Sequence, residues 1–188
     1  MRRRLALALV SAWLALTVAT AVVATTTFRT VDRVLTREPR PELVLRLAPR
    51  APEDERPVLR YLASEINRTM FRLWAGVDGA LAVALAALVL LDGEAGRTDR
   101  AVVGVLCGLT AVLDLGLMPL ILAWGPPLDF VPRPFPPEWA EAGHRFALAH
   151  GLFSGLDLLK VGLLAALLAR LLGKPERARG PQVGPAGI

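Results

Sequence analysis

A single cysteine, Cys107, excludes an intramolecular disulfide and a cysteine-rich zinc site, and its place in a hydrophobic run leaves the redox compartment open. Histidine is almost as scarce, with only two in 188 residues. Nowhere does the chain carry a nucleophile elbow, a phosphate loop, a dinucleotide fingerprint or an HExxH helix. The reading is therefore of a protein that is not an enzyme and has neither cofactor nor metal. The net charge of +5 comes largely from arginines outside the apolar runs, which fits anionic lipid headgroups and argues against nucleic acid.

What the chain has is hydrocarbon. Hydrophobic residues make up 54% of it, and the mean hydropathy is +0.47. They gather in runs of about twenty residues or more, each long enough to cross a bilayer as a helix. Four spans are expected, at about 5–27, 71–91, 101–124 and 146–172. The fold class that follows is all-α, an integral membrane four-helix bundle with an amphipathic and proline-rich extramembrane loop. A signal peptide is the rival reading of the first run, but that run exceeds the ~7–15 apolar residues of a signal peptide.

Residues 28–70 form the longest polar segment, with nine arginines set against seven acids. Prolines at 39, 41, 49, 52 and 57 break any continuous helix in its first half. From Pro57 the pattern turns amphipathic, with Val58, Leu59, Leu62, Ile66, Met70 and Leu73 at helical spacing. The expected helix over 57–70 either lies on the membrane or runs straight into the second span. The short turn at 92–100 makes spans two and three antiparallel neighbours. The proline-dense stretch 125–139 is expected to pack as an ordered cap or to stay extended, and the Gly/Pro-rich tail at 175–188 is expected to be disordered.

The last run carries the polar residues that organise the chain. His150, Ser154 and Asp157 fall on one helical face, read as an interior face, with Gly151 and Gly155 beside them to permit close helix approach. Gly104, Gly108, Ala75 and Gly79 are expected to serve as packing surfaces in the same way. At ~1.5 Å per residue, Asp78, Asp114 and Asp157 lie about 10, 15 and 16 Å below the same membrane face, so three carboxylates from three helices can meet. His150 lies nearer that face and Lys160 deeper. Three acids against one lysine leave net negative charge, so at least one carboxyl is expected to be protonated or to pair with a cation. Asp157 and Lys160, three residues apart, can neutralise each other. Pro119, one turn beyond Asp114, can free a backbone carbonyl.

Phe146, His150-Gly151, Ser154 and a polar residue seven after the histidine followed by leucine resemble the last helix of the domain of unknown function 4149 (transmembrane protein 205-like) family. Phe28-Arg29 after span one and Phe71 at the start of span two are similar too. The chain departs in having Asp157 where family members tend to have asparagine, and in its proline-rich insert at 37–57. The resemblance implies a small multi-span helical membrane protein and assigns no catalytic residue.

Two functions fit these residues. One is a transporter or ion- or proton-conducting helper that uses His150, Ser154, Asp157, Lys160, Asp78 and Asp114. The other is a membrane scaffold or accessory protein in which the same groups only hold the bundle together. The expected partners are the lipid bilayer and further copies of the chain or other membrane proteins. The expected location is a bacterial inner membrane with both termini cytoplasmic: nine lysines and arginines at the termini and the 92–100 turn support this, and the arginine-rich 28–70 loop runs against it.

Overall fold

The computed structural model describes residues 2–36, 52–93 and 95–173. They contain helices and turns and no strand. Helix α1 spans Arg2–Thr36, a stretch without glycine or proline, and α2 spans Pro52–Leu90. The third span is built in pieces: α3 (Arg97–Ala111), a π-helical turn (Val112–Leu117) and α4 (Met118–Trp124). A 3-10 turn at Pro126–Leu128 leads through a proline-rich bend to α5, Pro137–Gly173. Four segments are long and apolar enough to cross a membrane: Arg3–Arg33, Val58–Leu90, Arg97–Leu128 and Pro137–Gly173.

Successive helices run antiparallel and close into a ring, with α1 packed on α2, α2 on α3, and α5 on both α3 and α1. The seam is readable in the buried positions, which alternate steps of four and three residues. They are Ala6, Val10, Trp13 and Thr17 on α1, and Val103, Leu106, Thr110 and Leu113 on the third span. On α5 they are Lys160, Leu164, Leu167 and Leu171. Such spacing keeps one stripe of each helix facing its neighbours along the whole bundle. At the closed end Arg3 donates through Nε and Nη2 to the Leu171 carbonyl, so the start of α1 satisfies an orphan acceptor at the end of α5.

The polar 28–70 segment is more helical than its composition suggests. Residues 28–36 continue α1, and α2 begins at Pro52 and runs unbroken into the membrane. The charges that mark this stretch as a loop instead pair between helices, as in Arg60 Nη2 to Asp32 Oδ1 at 2.9 Å. At ~1.5 Å per residue the 39 residues of α2 extend well beyond a ~30 Å hydrocarbon core, so the bundle stands above the membrane on this side. The rest of the proline-rich insert, at 37–51, and the tail at 175–188 lie outside the described residues.

The proline-dense connection is an ordered cap. Asp129 accepts from Arg68 Nη2 at 2.7 Å, and Phe130 stacks on Tyr61 with ring centroids 5.1 Å apart. Phe135 lies against Gly143 and leaves no room for a β-carbon there.

The expected packing glycines require correction. Gly104, Gly108, Gly151 and Gly155 are exposed, and a β-carbon added at any of them, or at the half-buried Gly79, would meet nothing within 4 Å. Ala75 is likewise only half-buried, beside the buried Trp74. The seam is made by leucine, valine and tryptophan, whose steps of four and three set the rotation of each helix and turn the glycines outward. Gly104→Ala is therefore expected to raise stability by ~0.5–1 kcal/mol through helix propensity, whereas Gly143→Ala should lower it by ~1–3 kcal/mol by driving into the Phe135 ring. Thermal melts of the two variants check this; destabilisation by Gly104→Ala would show that another molecule packs there.

Candidate functional site

Lys160 is the centre of the site. It projects from the interior seam of α5 and is 1% exposed. Its Nζ lies 2.7 Å from Asp78 Oδ2 of α2 and 3.0 Å from Asp157 Oδ1, one turn back on its own helix. Asp78 is fully buried, and its other oxygen accepts a hydrogen bond from Trp13 Nε1 of α1. The Lys160 ammonium also stands 5.9 Å from the centroid of the Trp74 ring. Three helices are thus tied through one carboxylate whose two oxygens both have donors. In hydrocarbon an ion pair survives only with such complete satisfaction.

The third span adds Asp114, which interacts electrostatically with Asp78, Lys160 and Asp157. The three acids therefore converge, as the depth arithmetic predicts, and Lys160 joins them. The backbone at Asp114 departs from an α-helix: Met118 N–H donates to the Leu113 carbonyl, five residues back. Pro119 has no N–H, and this combination leaves the Asp114 carbonyl with neither an i+4 nor an i+5 helical donor. One carboxylate oxygen, Asp114 Oδ2, is buried and finds no hydrogen-bond partner among the described residues. Asp157 Oδ1 has only its ion pair with Lys160 and no hydrogen bond of good geometry.

Two predicted members are not there. His150 and Ser154 are exposed on the outside of the bundle, and Asp157 is half-buried. The heptad of bulky residues ending in Leu164, Leu167 and Leu171 fixes the rotation of α5, so the interior stripe passes through Ala149 and Lys160, not through His150. Both outward polar groups are partly satisfied locally. Ser154 Oγ donates to the His150 carbonyl at 2.9 Å, and the His150 ring stacks on Phe146 with centroids 5.9 Å apart. Trp13, Thr110 and the Arg68–Asp129 pair belong to the polar interior without having been singled out in the sequence. The available signal for Trp13 is the position of an indole in the middle of an apolar span instead of at the headgroup level, where tryptophan is usually found.

Among the described residues no group of three or more His, Cys, Asp or Glu side chains is placed to hold a metal ion. No family model, no curated protein and no solved structure matches the chain.

Proposed function

We propose that this multi-pass membrane protein translocates an ion, or assists its translocation, through the carboxylates at the centre of its bundle. The observation that carries the reading is an excess of buried acid. Lys160 alone faces Asp78 and Asp157, and Asp114 stands beside them with a buried oxygen lacking a partner among the described residues. An intramembrane acid left in this state binds or passes a cation more readily than it stabilises a fold. In this assignment Asp78 and Lys160 are the fixed frame, Asp114 and Asp157 exchange the charge, and Trp13 positions Asp78.

The test is ion flux in proteoliposomes, read for protons with an enclosed pH-sensitive dye and for sodium with a radioactive tracer, driven by an imposed membrane potential and repeated with Asp114→Asn and Asp157→Asn. Flux that falls to the protein-free level in both variants supports the reading. Flux unchanged by either removes the acids from the function. The scaffold reading is favoured by one observation, the tie of α1, α2 and α5 through Trp13, Asp78 and Lys160. It predicts no flux, and loss of partner capture when residues 37–57 are deleted.

The proposal sets the chain in a bacterial inner membrane with both termini cytoplasmic; the arginines flanking the start of the first span support that orientation of its N-terminal side. Its partners are the bilayer and further copies or other membrane proteins, toward which Gly104, Gly108, Gly151 and Gly155 turn. Membership of the domain of unknown function 4149 family is part of the same proposal and rests on the last-helix residues. In a Cys107→Ala background, Phe130→Cys is expected to react with an impermeant thiol reagent from outside intact cells, and Ala95→Cys to stay protected. Labelling of both from one side would end the four-span topology.

A further inference from the structure

Several helical hydroxyls in this protein are satisfied within their own helix. Thr17, Thr25, Thr26, Thr27 and Ser154 each donate to the carbonyl four residues before, at 2.8–2.9 Å. Thr110 does not: its Oγ1 is buried, with the residue 4% exposed, and finds no hydrogen-bond partner among the described residues. Thr110 lies on the interior stripe with Val103, Leu106 and Leu113, one turn before Asp114, so both side chains share a face. Two buried oxygens, Thr110 Oγ1 and Asp114 Oδ2, therefore stand a turn apart, each without a partner. Immediately beyond them is the Asp114 carbonyl, left without a helical donor by the π turn and Pro119.

A hydroxyl, a carboxylate and a freed carbonyl at a break in a membrane helix are the oxygen types that hold alkali cations. Two of the three carboxylates gathered here, Asp78 and Asp157, already face Lys160, which leaves a single acid and suits a monovalent ion better than a divalent one. Lys160 is ion-paired with Asp78 and Asp157, and Asp114 forms no ion pair among the described residues, so Asp114 is the acid left to meet an incoming cation.

We propose that Thr110 and Asp114 form a monovalent cation site on the interior face of the third span, with Thr110 Oγ1 and Asp114 Oδ2 as its first two ligands. The inference rests on the ion-translocation reading and sharpens it by giving the ion as an alkali cation. Binding itself is measurable without transport. Purified protein is melted in sodium chloride and in N-methyl-D-glucamine chloride at matched ionic strength, and radioactive sodium binding is measured in parallel. Sodium well above its dissociation constant is expected to raise the melting temperature by several degrees, roughly 5–11 °C at a hundredfold excess. Thr110→Val and Asp114→Asn should abolish the rise and the bound sodium. Thr110→Ser should retain both, and so should Thr17→Val, which removes a buried hydroxyl already bonded within its helix. If Asp114→Asn fails to fold, the Thr110 pair decides the matter alone. Equal melting in the two salts with no bound sodium overturns the site, as does an unchanged sodium response in Thr110→Val. Sodium binding without flux keeps the site and removes translocation, whereas proton flux indifferent to sodium keeps translocation and removes the site.

Discussion

Lys160→Ala is expected to destabilise the bundle by about 3–5 kcal/mol, the cost of leaving a fully buried carboxylate without its partner. The magnitude follows from position. Lys160 Nζ bonds Asp78 at 2.7 Å where neither side chain is more than 1% exposed, so little solvent is at hand to take over. Trp13 still donates to the other Asp78 oxygen, but an indole N–H cannot neutralise a charge. The double variant Asp78→Asn with Lys160→Met should recover most of the loss, because removing both charges removes the desolvation problem with them. Equilibrium unfolding in mixed micelles measures both. A Lys160→Ala loss below ~1 kcal/mol would mean that the ammonium reaches the interface along its stem, and the central pair would not exist as described.

The second large effect is expected at the cap. Arg68 is 10% exposed at its side chain and holds Asp129, 9% exposed, at 2.7 Å while also reaching Glu65 at 2.7 Å and standing 5.9 Å from the Tyr61 ring centroid. Arg68→Ala strands the Asp129 carboxylate and frees the proline-rich bend from α2. A loss of about 2–3 kcal/mol is expected, below the value at Lys160 because Glu65 is well exposed and its share is screened. Arg68→Lys should recover only part of it, since an ammonium cannot match the planar fork that serves two acids at once. Limited proteolysis gives the local readout: cleavage between Asp129 and Pro136 should accelerate in Arg68→Ala and stay slow in Lys160→Ala. Equal rates in wild type and Arg68→Ala would show that the bend is held by the Tyr61–Phe130 stack instead.

Span number, antiparallel order and the meeting of Asp78, Asp114 and Asp157 follow from the sequence by itself. Each depends on one-dimensional quantities: the length of an apolar run, the shortness of the 92–100 turn, and depth counted at a fixed rise per residue. Rotation about a helix axis is not such a quantity. A polar face and a leucine seam are both visible in the last run, and periodicity does not say which one turns inward. Packing against three neighbours decides it for Lys160, Leu164, Leu167 and Leu171, and His150, Ser154, Gly151 and Gly155 are carried to the outside as a result. The partner of Lys160 is equally a tertiary fact, because Asp157 is near in sequence and Asp78 is 82 residues away, yet the shorter bond goes to Asp78. The orphan oxygens at Thr110 and Asp114 lie further still from the sequence. Pro119 announces that some carbonyl loses its donor, but only the backbone path through the π turn selects the Asp114 carbonyl, and only packing leaves the neighbouring hydroxyl unpaired.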